Sequence, residues 1–120
     1  MSRWYSRPVI FVADVDRASS FYVEKLGFAE AWRHCEQDKT LVAQVDRAGC
    51  ELILSCQQPR KVGCALVFIS LDQADVAPVR RSFEQAGVDV KEGWWGYPLM
   101  IVADPDGNEL YFPVPATAAH

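Results

Sequence analysis

The chain has 120 residues, half of them hydrophobic and 23% charged, with a formal net charge of −4 at pH 7. This composition is typical of one folded domain and not of an intrinsically disordered chain. No run of Lys or Arg is present, and no apolar stretch approaches the roughly 18 residues of a membrane helix, so we expect neither a nucleic-acid nor a membrane partner. The chain also opens without a signal-peptide pattern, which predicts a cytoplasmic protein.

The first half begins with a strand-like run and continues into a helix. The run PVIFVAD (8–14) is rich in β-branched residues, and Asp14 stands where a helix cap is expected. Phe21, Tyr22 and Leu26 recur at helical spacing, and Gly27 is expected to end the helix. Three shorter strands are predicted after it, at about 29–36, 40–47 and 50–56.

The second half follows the same plan. The run ALVFISLD (65–72) predicts a strand, and Asp72 is expected to cap a helix that ends at Gly87. Val76, Val79 and Phe83 supply the apolar face of this helix. Three more strands are predicted, at about 88–92, 98–103 and 109–113.

The two halves are an internal repeat. Gly27 maps onto Gly87 at an offset of 60, and Glu51 maps onto Glu109 at an offset of 58. Each half therefore reads as a β-α-β-β-β module, and neither could bury both faces of a small sheet alone. We predict an α+β fold in a single domain, residues 1–120, with a curved mixed sheet and a cleft. The expected divisions are module 1 at about 7–57, a linker at 58–63 and module 2 at about 64–115.

Two segments of this repeat resemble the vicinal-oxygen-chelate superfamily, which groups glyoxalases, extradiol dioxygenases and bleomycin-resistance proteins. They are VADVDRASSFYVEKLGF (12–28) and WGYPLMIVADPDGN (95–108). The resemblance runs from about Pro8 to Val114 and is closest in character to the metal-free members that resemble bleomycin-resistance proteins. It implies that the two modules form a cleft whose walls are the sheets.

The resemblance also implies where a metal would be held. The ligand positions of metal-dependent members correspond here to Arg7, Ala65 and Tyr111. Arginine stays protonated, alanine has no donor atom, and tyrosine is a poor partner for hard divalent ions. We therefore expect no metal and no other cofactor.

One alternative metal site stays open at this stage. It would combine His34 with Glu51 and Glu109, which are equivalent in the repeat. The other histidine, His120, is the last residue. The simpler interpretation is that these side chains are polar residues of strands or of the cleft rim.

Alternation along the strands predicts which side chains face the cleft. In the last strand Glu109 and Tyr111 should face it, while Leu110 and Phe112 pack against a helix. The first strand of each module should contribute three inward side chains. These are Arg7, Val9 and Phe11 in module 1, and Ala65, Val67 and Ile69 in module 2.

Aromatic residues are expected to line this cleft. Trp32 and His34 are two residues apart on one strand and so share a face, while Trp94, Trp95 and Tyr97 lie before the next-to-last strand. An apolar, aromatic cleft with acidic ends suits a planar ligand. The predicted ligand-binding residues are Arg7, Phe11, Trp32, His34, Glu51, Trp94, Trp95, Tyr97, Glu109 and Tyr111.

The sequence therefore predicts a metal-free binding protein of the bleomycin-resistance type. Its homodimer would sequester a planar aromatic small molecule, neutral or cationic and similar to a peptide antibiotic, in a dimer cleft. The alternative is a glyoxalase- or dioxygenase-like lyase or isomerase with atypical metal ligands or with Glu109 as a base. A third hypothesis is a dimerisation module whose cleft is filled by its own side chains.

Overall fold

The computed structural model describes residues 2–114 and arranges them in two halves of equal plan. The N-terminal half contains β1 (Val9–Phe11), α1 (Val15–Glu24), β2 (Ala29–Glu36), β3 (Lys39–Arg47) and β4 (Cys50–Ser55). The C-terminal half contains β5 (Leu66–Phe68), α2 (Val76–Gln85), β6 (Lys91–Trp94), β7 (Pro98–Ala103) and β8 (Glu109–Pro113). One short 3₁₀ turn, Pro59–Lys61, lies between the halves, and another, Gln73–Asp75, precedes α2.

Each half forms its own four-stranded mixed sheet. The strand order is β1-β4-β3-β2 in the first sheet and β5-β8-β7-β6 in the second. In each sheet the first strand pairs in parallel with the last, and the remaining pairs are antiparallel. This arrangement confirms the predicted α+β repeat.

The start of α1 agrees with the prediction. Asp14 has extended backbone angles, and its carboxylate accepts a hydrogen bond from the backbone N–H of Arg17 at 3.1 Å. This contact satisfies one of the N–H groups that a helix start leaves free. The buried side chains of α1 are those of Val15, Ala18, Ser19 and Tyr22.

The predicted start of α2 at Asp72 is wrong. Asp72 opens the 3₁₀ turn, and the helix itself begins at Val76. Pro78 supplies the physical reason, because proline has no N–H and is tolerated only in the first helical turn. A helix that began at Gln73 would place Pro78 beyond that turn.

Strand β6 also begins later than the predicted range of 88–92. The backbone N–H of Val88 donates to the carbonyl of Phe83 at 2.9 Å, so this residue still belongs to the end of the helix. Val88 and Val90 then pack against the core. Pairing with β7 starts only at Lys91.

The predicted inward face of β5 is wrong by one residue. Leu66 pairs with Glu109 and Phe68 with Tyr111, so these side chains share a face of the sheet. Ala65, Val67 and Ile69 pack instead against the hydrophobic core. In β1 the prediction holds, since Val9 pairs with Ile53 on the open face and Ile10 is fully buried.

One hydrophobic core connects the two halves. It fills the space between the helices and the inner sides of the sheets, and it includes Tyr22 and Leu54 as well as Phe83 and Phe112. No helix among residues 2–114 is long and apolar enough to span a bilayer.

The turn at residues 104–108 contains a network of buried polar side chains. Asp104 accepts hydrogen bonds from the backbone N–H groups of Asp106 and Asn108, at 2.9 and 3.0 Å. Its second oxygen accepts from the Asn108 amide at 3.0 Å and from the Tyr22 hydroxyl at 3.1 Å. Burial, and then the Asp104 charge, raise the pKa of Tyr22 well above its usual value, so the hydroxyl remains a donor.

Asn108 extends the network to the first strand of each sheet. Its amide N–H donates to the carbonyl of Phe11 at 3.0 Å, and its amide oxygen accepts from the N–H of Ala65 at 2.9 Å. The linker fits tightly against the same turn, because a Cβ at Gly63 would lie 2.3 Å from the carbonyl oxygen of Asp106. The turn therefore joins α1, β1, β5 and the linker at one point.

We predict that Asp104→Asn lowers the free energy of unfolding by about 2–4 kcal/mol, because one acceptor oxygen becomes a donor that faces buried donors. Urea denaturation followed by circular dichroism measures the loss. Asp106→Asn is the matched control and should change stability by less than about 0.5 kcal/mol. Equal losses in the two variants would contradict the role assigned to the Asp104 carboxylate.

Candidate functional site

Each sheet has one face that the chain itself leaves open. In each sheet, a row of paired residues that runs across all four strands has its side chains on the open side. We call the open side of the first sheet the first face and that of the second sheet the second face. The row of the first face is Val9, Ile53, Gln44 and Trp32, and that of the second is Phe68, Tyr111, Ile101 and Lys91.

The first face is organised around the buried amide of Gln44. Its oxygen accepts from Arg7 Nη1 at 2.8 Å and from the indole N–H of Trp32 at 3.0 Å. Its nitrogen donates to Asp46 and to Glu51, each at 2.9 Å. All four hydrogen-bonding positions of the amide are therefore used, and the charges of the partners fix its orientation.

This network determines the chemistry of the first face. The indole of Trp32 is held by its N–H and remains 42% exposed, so one of its surfaces is available for contact. Arg7 lies on one side of Gln44, and the carboxylates of Asp46 and Glu51 lie on the other. The face can therefore offer a fixed aromatic surface and charges of both signs.

The second face is an aromatic stack. Trp95 lies parallel to Phe68, with ring centroids 5.6 Å apart and an interplanar angle of 5°. It also contacts Tyr111, with centroids 5.1 Å apart and an angle of 53°. Trp95 is 50% exposed and Phe68 is 41% exposed, so the stack presents ring surface to solvent.

The turn between β6 and β7 places Trp95 over this sheet. The backbone N–H of Trp95 donates to the carbonyl of Tyr97 at 3.1 Å, and Gly96 has a φ of 76°. Few residues other than glycine adopt that backbone conformation easily. A Cβ at Gly93 would lie 2.6 Å from Cδ1 of Ile101 on the same face, so a larger residue there would displace the end of that side chain.

Five of the predicted site residues form two groups of contacting side chains, and the others lie apart from both groups. Arg7, Trp32 and Glu51 meet through Gln44, while Trp95 and Tyr111 meet in the stack. Within residues 2–114, no hydrogen bond or ring contact joins the first group to the second.

The other predicted residues lie apart from these groups. His34 is at the exposed edge of the first sheet, where Nε2 is 3.0 Å from a carboxylate oxygen of Glu36. The Phe11 ring lies 5.7 Å from Nζ of Lys61, and half-buried Glu109 pairs with Leu66. Trp94 is 70% exposed and Tyr97 is 39% exposed, and both are close to Trp95 in the sequence.

Sequence reasoning missed Gln44 and Phe68, the residues that organise the first face and the stack of the second. Gln44 is a single polar residue in the apolar run LVAQV (41–45), and this was a usable signal for a buried hydrogen-bonding role. Phe68 was missed because the inward side chains predicted for β5 were those of Ala65, Val67 and Ile69, and the observed register differs by one residue.

The positions that hold metal in the resembling family do not fit a metal here. Arg7 is bound to Gln44, and Tyr111 contacts Trp95. The neighbour of Ala65 on the open face of β5 is Leu66, which, like Ala65, has no donor atom. Among the residues described, no group of three His, Cys, Asp or Glu side chains could hold a metal ion, so His34, Glu51 and Glu109 form no such site. His120 lies outside residues 2–114.

Comparison with known proteins gives one family and several similar folds. A model of glyoxalase superfamily proteins matches residues 4–116 of the chain. No curated protein sequence matches closely enough to identify a relative.

Among solved structures, the chain is similar to the antibiotic-binding protein TnmS3 from Streptomyces sp. CB03234. The identity is 24%, the TM-score is 0.77, and the match covers 97% of this chain and 99% of that one. TioX from Micromonospora sp. ML1 is 23% identical with a TM-score of 0.68, covering 92% and 98% of the two chains. A lactoylglutathione lyase from Agrobacterium tumefaciens is 16% identical with a TM-score of 0.67, covering 95% and 96%. These likenesses establish a shared fold.

We predict that Gln44→Leu lowers the free energy of unfolding by about 2–3 kcal/mol, because two donors and two carboxylates lose their common partner. The emission maximum of tryptophan should also shift as the Trp32 indole is released. Chemical denaturation and fluorescence measure the two effects. Gln58→Leu, at an exposed residue, is the control and should leave both unchanged. A Gln44→Leu variant of unchanged stability would contradict the assigned network.

Proposed function

The chain belongs to the glyoxalase superfamily, and we propose that within it this protein is a metal-free binding protein that sequesters a planar aromatic small molecule. The observation that carries the proposal is the exposed stack of Trp95 on Phe68 and Tyr111. Flat ring systems stack favourably on such surfaces, because offset aromatic contacts add to the gain from apolar burial. The likeness in fold to an antibiotic-binding protein supports the same function.

The charges near both faces favour a ligand that carries a positive group. Glu109 pairs with Leu66 beside the stack, and Glu51 accepts a hydrogen bond from Gln44 on the first face. A cationic ring system is attracted both to aromatic faces and to these carboxylates. The net charge of −4 acts in the same direction over longer distances.

The binding site is proposed to be a cleft between two copies of the chain. A cleft needs two walls, and within one chain each face is open. Large apolar side chains are left partly exposed on both, including Val9 at 46% and Leu66 at 45%. In a homodimer the first face of one copy would oppose the second face of the other, which gives two equivalent clefts.

Sequestration without chemistry is the simplest activity for these residues. The positions that hold the metal in metal-dependent members are Arg7, Tyr111 and a β5 residue without a donor atom. No step that requires a Lewis acid is therefore assigned to this chain.

Binding can be tested with 9-aminoacridine, a planar aromatic cation. Isothermal titration calorimetry should detect binding to the wild-type chain, and Trp95→Ala should weaken it about 10-fold, because one ring contact of about 1.4 kcal/mol is lost. Trp4→Ala removes a tryptophan that is 95% exposed and belongs to no strand of either sheet, and it should leave the affinity unchanged. Equal effects of the two substitutions would argue against the stack as the binding surface.

The composite cleft can be tested by mixing variants. Trp32→Ala damages the first face and Trp95→Ala damages the second, so a homodimer of either variant has no intact cleft. Refolding an equal mixture should restore about a quarter of the clefts, because half of the dimers are mixed and each has one intact cleft. Calorimetry measures the restored fraction, and sedimentation confirms the dimer. Dimers that regain no sites would contradict a cleft shared between copies.

A further inference from the structure

A cavity of about 440 Å³ lies on the other side of the second sheet, away from the aromatic stack. Phe112 lines it, whereas its neighbour Tyr111 belongs to the second face, so strand β8 separates the two. The volume is within the range of small-molecule sites in proteins. The cavity is therefore distinct from the proposed cleft.

Both halves of the chain build this cavity, and its floor is apolar. The N-terminal half contributes residues around the β3–β4 turn, and the C-terminal half contributes α2 and the segment before it. The apolar side chains of the floor are Phe28, Ile69, Val79, Phe83 and Phe112. The late start of α2 contributes to this arrangement, because the segment from Ile69 to Asp75 forms a wall of the cavity instead of a helical turn.

The mouth of the cavity has an acidic character. Asp72 and Asp75 both line it, and neither makes a side-chain hydrogen bond or an ion pair within the described part of the chain. Among the lining residues that belong to the described ranges, Arg47 is the only cation, and it donates to the carbonyl of Leu26 near the end of α1. Two carboxylates are thus free to meet a positive group, while the one guanidinium is already engaged.

The turn between β3 and β4 forms part of the rim of the cavity. Ala48 has a φ of 49° and precedes Gly49, in a two-residue turn where asparagine or glycine is ordinarily preferred. Its methyl group lines the cavity. Positive φ at both residues is what a two-residue hairpin turn requires, so this conformation belongs to the turn itself.

We propose that this cavity is a second ligand-binding site and that it takes a small hydrophobic ammonium compound. The apolar body of the ligand would contact Val79, Phe83 and Phe112, and its ammonium group would meet Asp72 and Asp75. Most of the affinity comes from apolar burial, because ion pairs with exposed carboxylates contribute little. The charge instead sets the preference among ligands of similar shape.

Three probes of one shape test this preference: 2-phenylethylammonium, 2-phenylethanol and 3-phenylpropanoate. We expect ¹H–¹⁵N spectra of the full chain to shift at Ile69–Asp75 and at Val79, with the ammonium compound binding about 3–5-fold more tightly than the alcohol. The carboxylate should bind most weakly. An alcohol that binds as tightly as the ammonium compound, or shifts confined to Trp95 and its neighbours, would overturn the proposal.

Variants locate the ammonium group. Asp75→Asn should remove most of the preference for the ammonium probe over the alcohol, and it should leave the fold intact because the Asp75 side chain caps nothing. Asp89→Asn, at an exposed acid outside the cavity, is the matched control and should keep the full preference. Trp95→Ala should also leave it unchanged, which distinguishes this site from the aromatic stack. An unchanged preference in Asp75→Asn would contradict the assignment.

Cys50 gives a second measure of occupancy, because it lines the cavity. Burial raises the pKa of its thiol, so alkylation is slow at neutral pH. Saturating 2-phenylethylammonium should slow the reaction of Cys50 further, measured by peptide mapping, and leave exposed Cys64 unaffected. An unchanged rate at Cys50 would show that the probe does not enter the cavity.

Discussion

The carboxylate of Asp104 is the point on which the arrangement of the two halves depends. It accepts four hydrogen bonds, three within its own turn and one from the Tyr22 hydroxyl on α1. Asn108, held by that carboxylate, reaches both Phe11 in the first sheet and the residue that precedes β5. A buried charge is tolerated only where its hydrogen bonds are satisfied, so this turn fixes helix, strands and linker together. The polar turn therefore acts as a structural joint that leaves the faces of both sheets free.

The two open faces have the same backbone plan and opposite chemistry. The central row of the first face contains the hydrogen-bonded pair of Gln44 and Trp32, whereas that of the second contains the aromatic pair of Phe68 and Tyr111. A rigid polar network makes hydrogen bonds that depend on the orientation of the ligand. An aromatic stack offers contact area to a ligand with little dependence on its orientation. A cleft that combines the two would select ligands by ring shape on one wall and by polar groups on the other.

Much of the fold could be predicted from the sequence because strands and caps are local. The bounds of β2, β7 and β8 agree with the predicted ranges, and Asp14 caps α1 as its side chain suggested. The start of α2 could not be taken from Asp72 alone, since Pro78 six residues later excludes a helix that begins there. The site was harder to predict, because the stacking of Trp95 on Phe68 depends on the β6–β7 turn and on the register of β5. The network of Gln44 depends on partners from four separate segments of the chain.

The register of β5 has a consequence for how such a protein could evolve. Val9 and Phe68 hold equivalent places in the two sheets at an offset of 59, while Ile53 and Tyr111 are equivalent at an offset of 58. After an ancestral duplication, a spacing change of one residue before β5 would turn every side chain of that strand to the opposite side. A single insertion or deletion would then change the surroundings of several side chains at once, whereas point substitutions would change one side chain at a time. An insertion of one residue is thus a direct route from one ligand specificity to another in a duplicated fold.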